Sequence, residues 1–278
     1  MSSTIAEALA FASGKIDRFE AQYLLADLLK VGRATLVARP EQALGIHELD
    51  MYRSQVAARA KGMPVAYILG WREFYGREFV VNEQVLIPRP ETETLIEQAL
   101  ARLAGLPNPA EILDLGTGSG AIAVTLQLEI PGARVTAVEK SRRALDVARQ
   151  NAERLGAPVR FVESDWYSHI AGEKFHLIAA NPPYVAGNDP HLGQGDLRFE
   201  PRNALTDDGA DGDGLDSIRH IVECAPAHLH SGGWLLCEHG WDQAEACREL
   251  LAARGFTEVS SAADLAGIER IAIGRWPG

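Results

Sequence analysis

The chain has 278 residues, enough for one large domain or two modest ones, and a net charge of −11. Hydrophobic residues make up 46% and charged residues 23% of it, which is typical of a globular protein. It has no apolar run that could span a bilayer and no signal-peptide pattern at its amino terminus, so we expect a soluble, cytoplasmic protein without membrane partners. Its three cysteines form no Cys-x-x-Cys pair and predict neither disulfides nor a zinc site.

The negative charge is concentrated after the first quarter of the chain. Residues 76–278 carry 18 Lys and Arg against 30 Asp and Glu. A region this acidic repels a phosphate backbone, which argues against DNA or bulk RNA as the main ligand.

Residues 4 to about 62 show apolar residues at helical spacing. The residues that carry this pattern are Ile5, Leu9, Phe11, Phe19, Tyr23, Leu24, Leu28, Leu49, Tyr52 and Val56. We predict a small helical bundle, with residues 1–70 as a separate domain. The bundle holds no cluster of acids, histidines or cysteines, so its expected role is to bind or orient a partner, with structural support as the alternative.

Aromatic and β-branched residues on both sides of Gly76 predict a β-hairpin, and residues 71–88 are taken as the link between domains. The stretch from Ile87 to Glu93 follows. Either Glu91 or Thr92 is expected to start the next helix.

A glycine-rich loop separates a predicted strand, 110–115, from a predicted helix, 121–128. Its residues are Gly116, Thr117, Gly118, Ser119 and Gly120. Such a loop brings backbone N–H groups and a helix amino end against a nucleotide-like cofactor. Glu139, after the next strand, is placed to bind a ribose, and these residues alone fit S-adenosylmethionine and NAD equally well.

The next predicted strand, 159–164, ends at Asp165 and Trp166. These residues are candidates for a carboxylate near an adenine amino group and an indole beside the adenine ring. The alternative is a loop aspartate with a half-buried tryptophan.

A buried strand is predicted at 175–180, and it stops at Asn181, Pro182, Pro183 and Tyr184. Ligands of open α/β sheets bind beyond the carboxyl ends of the strands. The Asn181 carboxamide oxygen and the Pro182 carbonyl oxygen together match one planar NH2 group, such as a glutamine amide or an exocyclic base amine. Tyr184 is expected to stack on that plane, and the alternative is an Asn-Pro turn without function.

The remaining chain predicts helices at 215–224 and 244–253 and strands at 234–238, 256–259 and 271–274. His228 and His230 lie by a Ser-Gly-Gly turn, and with His239 they are interpreted as structural, so no metal is expected. The acidic loop at 206–214 lacks the EF-hand ligand spacing and is interpreted as a solvated loop.

Taken together, these motifs resemble the class I S-adenosylmethionine-dependent methyltransferases, and more narrowly the peptide chain release factor glutamine N5-methyltransferase family. The resemblance covers nearly the whole chain. The Asn-Pro-Pro-Tyr motif also occurs in N6-adenine methyltransferases, but the Ile87–Glu93 stretch and the helical leader point to the glutamine enzymes. The other matching segments are 64–70, 74–80, 114–120, 200–201, 204–205 and 213–215.

The resemblance implies a Rossmann-like α/β fold with a seven-stranded sheet, an amino-terminal helical substrate-recognition domain, a hairpin linker and a methyltransferase domain over 89–278. It implies S-adenosylmethionine contacts at 116–120, Glu139, Trp166 and Asn181, and substrate contacts at 181–184, with S-adenosylhomocysteine as product. Asn181, Pro182 and Tyr184 are thus the expected catalytic residues. One departure is Glu139, where many relatives have Asp.

The implied substrate is the glutamine of the Gly-Gly-Gln motif in release factors, and the protein is expected to act as a monomer without direct nucleic-acid binding. Three alternatives stay open at this point. They are an N6-adenine methyltransferase, an NAD-dependent oxidoreductase and a non-catalytic binding adaptor.

Overall fold

The computed structural model describes residues 3–105, 109–206 and 212–278. The chain forms two compact units, Met1–Trp71 with Gln194–Phe199, and Arg72–Gly193 with Glu200–Gly278. Most of the acidic loop predicted at 206–214 lies outside the described residues. The described part of the chain contains no helix with both the length and the apolar composition of a membrane span.

The first unit is helical, as predicted. Its helices are α1 (Ile5–Ala12), α2 (Arg18–Leu28), α3 (Arg33–Ala38), α4 (Ile46–Ala60) and α5 (Val65–Leu69). Thr4 and Glu7 start α1 with a capping box, because each side chain accepts a hydrogen bond from the other residue's backbone N–H, at 3.2 and 3.0 Å. Asp17 caps α2 in a similar way through the N–H of Phe19 at 2.7 Å.

The core of this unit differs in part from the predicted apolar pattern. Leu24, Tyr52 and Val56 are fully buried, but Phe19 is 66% exposed and Tyr23 40% exposed. The Tyr52 hydroxyl donates to the carbonyl of Ala21 at 3.0 Å, which satisfies its polar atom inside the core. Helical spacing therefore identifies the helices but not which of their large side chains are buried.

A short segment from much later in the chain, Gln194–Phe199, belongs to the same unit. Arg59 on α4 pairs with Glu20 at 2.8 Å and with Asp196 at 2.9 Å. The guanidinium of Arg198 donates to the carbonyl of Lys61 at 2.8 Å. A Cβ at Gly62 would lie 1.9 Å from the Arg198 guanidinium, so a side chain at position 62 would displace that guanidinium.

The predicted hairpin is confirmed, with β1 at Trp71–Phe74 and β2 at Arg77–Val80. Its turn residues Tyr75 and Gly76 both have positive φ, 50° and 72°. Positive φ at both positions is the geometry of a type I′ turn, which matches the twist of the two strands.

The second unit is built on a seven-stranded sheet in the order β5-β4-β3-β6-β7-β9-β8. Its strands are β3 (Glu111–Leu115), β4 (Arg134–Glu139), β5 (Arg160–Glu163), β6 (Phe175–Ala180), β7 (Leu229–Glu238), β8 (Thr257–Ala263) and β9 (Glu269–Arg275). Strand β9 runs antiparallel to both its neighbours, whereas β3 to β7 are parallel and their carboxyl ends share one edge. This confirms the predicted Rossmann-like α/β fold.

Helices cover both faces of the sheet. They are α6 (Glu93–Leu103), α7 (Ala121–Glu129), α8 (Arg142–Leu155), α9 (Asp216–His228) and α10 (Ala244–Arg254). Successive residues of β6 enter opposite cores, Leu177 with α6 and α7, and Ile178 with α9 and α10. Thr92, one of the two residues predicted to start α6, is its N-cap residue, whereas Glu91 lies in the 3₁₀ turn Pro90–Thr92 that precedes the helix.

Strand β7 begins at Leu229, five residues before the predicted start. The Ser-Gly-Gly segment that the sequence indicated as a turn lies inside this strand. Pairing with β6 shifts register between Phe175 and Leu177, and Gly232 has a φ of 80°. The structure therefore has a β-bulge where a turn was predicted, because glycine can adopt the backbone conformations of both a bulge and a turn.

Candidate active site

The glycine-rich loop joins β3 to α7 at the carboxyl edge of the sheet. Gly116, Gly118 and Gly120 have φ values of 71°, 55° and 83°, a region that L side chains rarely adopt. A Cβ at Gly120 would lie 3.2 Å from that of Ala148, whereas a Cβ at Gly118 would meet only a carbonyl oxygen at 4.0 Å. Glycine at position 120 thus allows the loop to pack closely against α8. Glycine at position 118 leaves open space on the side of the loop that faces the cavity.

Asp114, the penultimate residue of β3, holds this loop from inside. Its Oδ2 accepts hydrogen bonds from the Thr117 hydroxyl at 2.6 Å and the Ala123 N–H at 3.1 Å. Burial raises the pKa of Asp114 to about 7, although both hydrogen bonds favour the ionised form. Sequence patterns placed Asp114 only within the family motif and indicated no role for it.

Glu139 ends β4 beside the loop. Its two carboxylate oxygens accept hydrogen bonds from the backbone N–H groups of Gly118 at 3.0 Å and Ser141 at 2.9 Å. Burial raises the pKa of Glu139, and those backbone bonds oppose the rise. The carboxylate therefore lies against the glycine loop, at the edge of the cavity where a ribose was expected.

Asp165 and Trp166 follow β5. Asp165 is paired with Lys140 at 3.0 Å and keeps 52% of its side chain exposed. Trp166 has a φ of 48°, and the Ser164 hydroxyl donates to its carbonyl at 2.7 Å. A Cβ at Gly116 would lie 3.4 Å from the indole, so ring and loop are in close contact.

Asn181 follows β6 directly, and its Nδ2 donates to the hydroxyl of Thr92 at 3.1 Å. Pro182 is buried, and Tyr184 is half-buried with its hydroxyl donating to Glu238 at 3.3 Å. The carbonyl of Tyr184 accepts from the Gln243 side chain at 3.1 Å. A Cβ at Gly214 would lie 2.2 Å from that carbonyl, which explains the glycine of the 213–215 motif.

Glu238, at the end of β7, is 1% exposed. Burial raises the pKa of Glu238 to about 7, while the hydrogen bond from the Tyr184 hydroxyl and the charge of Arg270 lower it. Nearby Glu91 acts in the opposite direction, raising the pKa. A buried, titratable carboxyl group thus lies next to the Tyr184 hydroxyl, and no sequence pattern indicated it.

These elements surround one cavity of about 590 Å³, a volume typical of small-molecule sites. Nine predicted site residues line it, namely Gly116, Thr117, Gly118, Ser119, Glu139, Asp165, Trp166, Asn181 and Pro183. Gly120, Pro182 and Tyr184 are not among the lining residues. Lining residues without a predicted role include Arg89, Thr92, Asn203 and His220.

Arg89 comes from the Ile87–Glu93 stretch and pairs with Glu200, whose side chain is buried. The other Glu200 oxygen accepts from the N–H of Ile87 at 3.0 Å. One buried acid therefore fixes both the backbone and the arginine of this stretch. That contact accounts for two of the family-like motifs, which lie far apart in sequence.

A group of metal-ligand types lies elsewhere, at the amino-terminal edge of the sheet, where Glu111, His176 and His230 approach one another. His176 Nδ1 accepts from the Glu111 N–H at 3.0 Å, and His230 Nε2 lies 3.3 Å from the Glu111 carboxylate. The three side chains are thus connected through Glu111. The expectation that no metal binds stays a prediction.

Comparison with known proteins agrees with this architecture. A family model described as "Methyltransferase small domain" matches residues 92–210, and one described as "PrmC N-terminal domain" matches residues 3–70. A methyltransferase structure from Pyrococcus furiosus shares the fold at a TM-score of 0.53 and 18% identity, over 81% of this chain and 98% of that one. The fold and its cavity define a methyltransferase with a Rossmann-like fold.

A release factor glutamine methyltransferase from Burkholderia pseudomallei is 50% identical over 99% of this chain and 97% of its own length. A structure described as a release factor-specific protein-(glutamine-N5) methyltransferase from Alicyclobacillus acidocaldarius is 31% identical, covering 72% of this chain and 100% of that one, with a TM-score of 0.44. The chain belongs to the release factor glutamine methyltransferase family. These relatives favour none of the three alternatives left open by the sequence.

Proposed function

We propose that this protein transfers a methyl group from S-adenosylmethionine to the N5 side-chain amide nitrogen of the glutamine in the Gly-Gly-Gln motif of release factors, forming the N-methylamide and S-adenosylhomocysteine and releasing one proton of the amide NH2. The observation that carries the proposal is the position of Asn181, at the end of a buried strand, lining the cavity, with its amide nitrogen bound to Thr92. The names of the near full-length relatives support the same substrate.

The cavity suits the cofactor. Gly118 leaves open space where a side chain would project, and the loop around it precedes a helix amino end. The carboxylates of Glu139 and Asp165 offer acceptors for ribose hydroxyls and an adenine amino group, and the Trp166 indole offers an apolar surface. When bound, S-adenosylmethionine supplies an electrophilic methyl group on a sulfonium.

Asn181 and Pro182 act on the substrate in this proposal. A glutamine amide nitrogen is a weak nucleophile because its lone pair is delocalised into the carbonyl. The Asn181 oxygen and the Pro182 carbonyl accept its two hydrogens, and these bonds strengthen as the nitrogen loses planarity and gains positive charge. Fixing the nitrogen in place contributes up to roughly 7–11 kcal/mol through proximity. The stacking role of Tyr184 stays a prediction.

The helical unit is proposed to recognise the release factor. Its part of the chain matches a separate family model, over residues 3–70. Several of its large apolar side chains are exposed, including Phe19, Val37 and Ile46, which suits a surface that contacts another protein. The monomeric state, the absence of nucleic-acid binding and the cytoplasmic location also stay predictions.

The proposed activity is tested by incubating the protein with methyl-labelled S-adenosylmethionine and purified release factor, DNA or ribosomes, and by mapping the label with mass spectrometry. We expect label only on the release factor, at the glutamine of Gly-Gly-Gln, and none on a release factor in which that glutamine is replaced by glutamate. Label on DNA or ribosomes, or equal labelling of the substituted release factor, would contradict the proposal.

A further inference from the structure

The large apolar side chains that are exposed on the second unit lie in two neighbouring loops. Among the described residues of this unit they are Trp241, Leu265 and Ile268, and we call these three residues the apolar patch. Trp241 is 71% exposed and Leu265 is fully exposed. The other large apolar side chains of the described part of this unit are buried or partly buried, so the apolar patch is not a scatter of single surface residues.

The pairing of the sheet brings the two loops of the apolar patch together. Strands β7 and β9 are antiparallel neighbours, so the end of β7 lies beside the start of β9. Just beyond the end of β7, the N–H of His239 donates to the carbonyl of Arg270 at 2.9 Å. Trp241 follows His239 by two residues, and Ile268 precedes Arg270 by two residues. The apolar patch therefore lies where β7 ends, at the same edge of the sheet as the cavity.

The turn that carries Trp241 is attached to the Asn-Pro-Pro-Tyr motif. The side-chain Oε1 of Gln243 accepts a hydrogen bond from the Gly240 N–H at 2.8 Å, which closes the turn around Trp241. The Nε2 of the same carboxamide donates to the carbonyl of Tyr184 at 3.1 Å. One buried glutamine thus connects the turn of the exposed tryptophan to the residue that follows Pro183 of the cavity wall.

The loop that carries Leu265 is also held by hydrogen bonds. Asp264 Oδ1 accepts from the N–H groups of Ala266 at 2.9 Å and Ile268 at 3.0 Å. Its Oδ2 accepts from the Arg270 guanidinium at 3.2 Å. Both loops are therefore preorganised, and a partner that covers them pays little conformational entropy for ordering their backbones.

We propose that the apolar patch is a docking surface for the release factor, and that it contacts the part of the release factor next to the Gly-Gly-Gln motif. This inference rests on the proposed function. It adds a contact on the methyltransferase unit to the one proposed for the helical unit.

The chemistry of the substrate motif requires contacts outside it. The two glycines of Gly-Gly-Gln have no side chains, so a site that binds this motif alone recognises only the glutamine and the backbone. When the glutamine lies beside Asn181, the neighbouring residues of the release factor lie over the surface around the cavity. The turn bound to Tyr184 belongs to that surface, and tryptophan is enriched among the residues that dominate binding at protein interfaces.

The charge around the apolar patch fits the same partner. Asp242, next to Trp241 in the chain, is exposed. Arg248 and the arginine at position 270 do not offset this negative charge, because they are paired with Glu269 at 3.0 Å and with Asp264 at 3.2 Å. Release factors act on the ribosome, and a surface that meets ribosomal RNA is basic. We therefore expect the partner surface to be apolar and flanked by basic residues.

The test compares Trp241→Ala, Leu265→Ala and the double variant with Arg134→Ala as the control. Arg134 begins β4, at the opposite edge of the sheet, and its side chain is 73% exposed. With purified release factor as substrate, we expect KM to rise about 5-fold in each single variant and about 20-fold or more in the double variant, because each change removes an apolar contact. The value of kcat should stay within about 2-fold of wild type in all of them, and Arg134→Ala should match wild type in KM as well.

Two further readouts separate docking from other effects. Calorimetry on the complexes with S-adenosylhomocysteine should show the Kd for release factor rising in parallel with KM, while the affinity for S-adenosylhomocysteine stays within about 2-fold of wild type. Wild-type KM and Kd in the double variant would overturn the inference. Light scattering that shows a wild-type dimer and a monomeric double variant would assign the apolar patch to a second copy of the chain, and would overturn it too.

Leu265→Ala keeps the test decisive if the variants at Trp241 do not fold, as judged by thermal melting, because a fully exposed side chain can be removed without loss of packing. Failure of the proposed function gives a different result, a wild-type protein that does not methylate release factor. If wild type methylates release factor, the KM and Kd of the variants decide this inference alone.

Discussion

Whether a residue of the site could be predicted from the sequence depends on whether the residues that define its role are close to it in the chain. Asn181 was predictable because an apolar strand and two prolines next to it mark the end of a strand. Thr92 was not predictable as a site residue, because Asn181, which donates a hydrogen bond to its hydroxyl, lies 89 residues away in the chain. Glu238 was predicted only as the end of a strand, since the hydrogen bond from Tyr184 and the charge of Arg270 that act on its carboxyl group come from other parts of the chain.

Asp114 gives a prediction on pH and stability. Its pKa is raised from 3.8 to about 7 in the folded protein, so between these values the native state holds a proton that the unfolded state has lost. Its contribution to the free energy of unfolding therefore falls as pH rises, on the order of 2 kcal/mol from about pH 5 to about pH 8.

Asp114→Asn lacks this titration, and Glu238 titrates in both proteins and cancels. Urea unfolding at the two pH values should therefore show Asp114→Asn gaining stability relative to wild type at the higher pH. An equal difference at both pH values would show that Asp114 is ionised throughout.

Elements were predictable where one periodicity dominates. Strands β3, β4 and β6 were predictable from short apolar runs with clear ends, and helix α7 was predictable from the apolar run that follows the glycine-rich loop. The beginning of β7 was not predictable. Its residues Ser231, Gly232 and Gly233 have the composition of a turn, yet they form a bulge whose pairing is set by β6. Apolar spacing also failed to identify Phe19 as an exposed residue of α2.

The loop between β3 and α7 is expected to be essential for cofactor binding. Gly118→Val should abolish S-adenosylmethionine binding, because its side chain would project into the open space beside the loop. Gly172→Val is the matched control, since Gly172 has a φ of 80°, a Cβ added there would meet nothing within 4 Å, and the residue does not line the cavity. Both variants carry left-handed strain of roughly 1–3 kcal/mol. Calorimetry should detect binding in the control alone, and binding by Gly118→Val would remove the loop from the cofactor site.

For the complete protein, the seven-stranded sheet was expected from the family resemblance, and the parallel direction of its strands brings the site residues together. Residues from four loops, after β3, β4, β5 and β6, meet at one edge because the strands that precede them run in the same direction. The membership of Gln194–Phe199 in the helical unit could not be predicted, because it depends on contacts such as Asp196 with Arg59, far apart in the chain. The substrate-recognition role of that unit stays a proposal.

The proposed mechanism depends on the Asn181 carboxamide, which binds the substrate amide through hydrogen bonds. The most direct test measures the methylation kinetics of Asn181→Ala and compares them with those of Asn188→Ala. Asn188 is an exposed asparagine seven residues later that does not line the cavity. With release factor as substrate, we expect Asn181→Ala to lower kcat by about 100-fold or more while S-adenosylmethionine affinity changes by no more than a few fold, and Asn188→Ala to behave as wild type. Wild-type turnover by Asn181→Ala, with its cofactor affinity intact, would contradict the account.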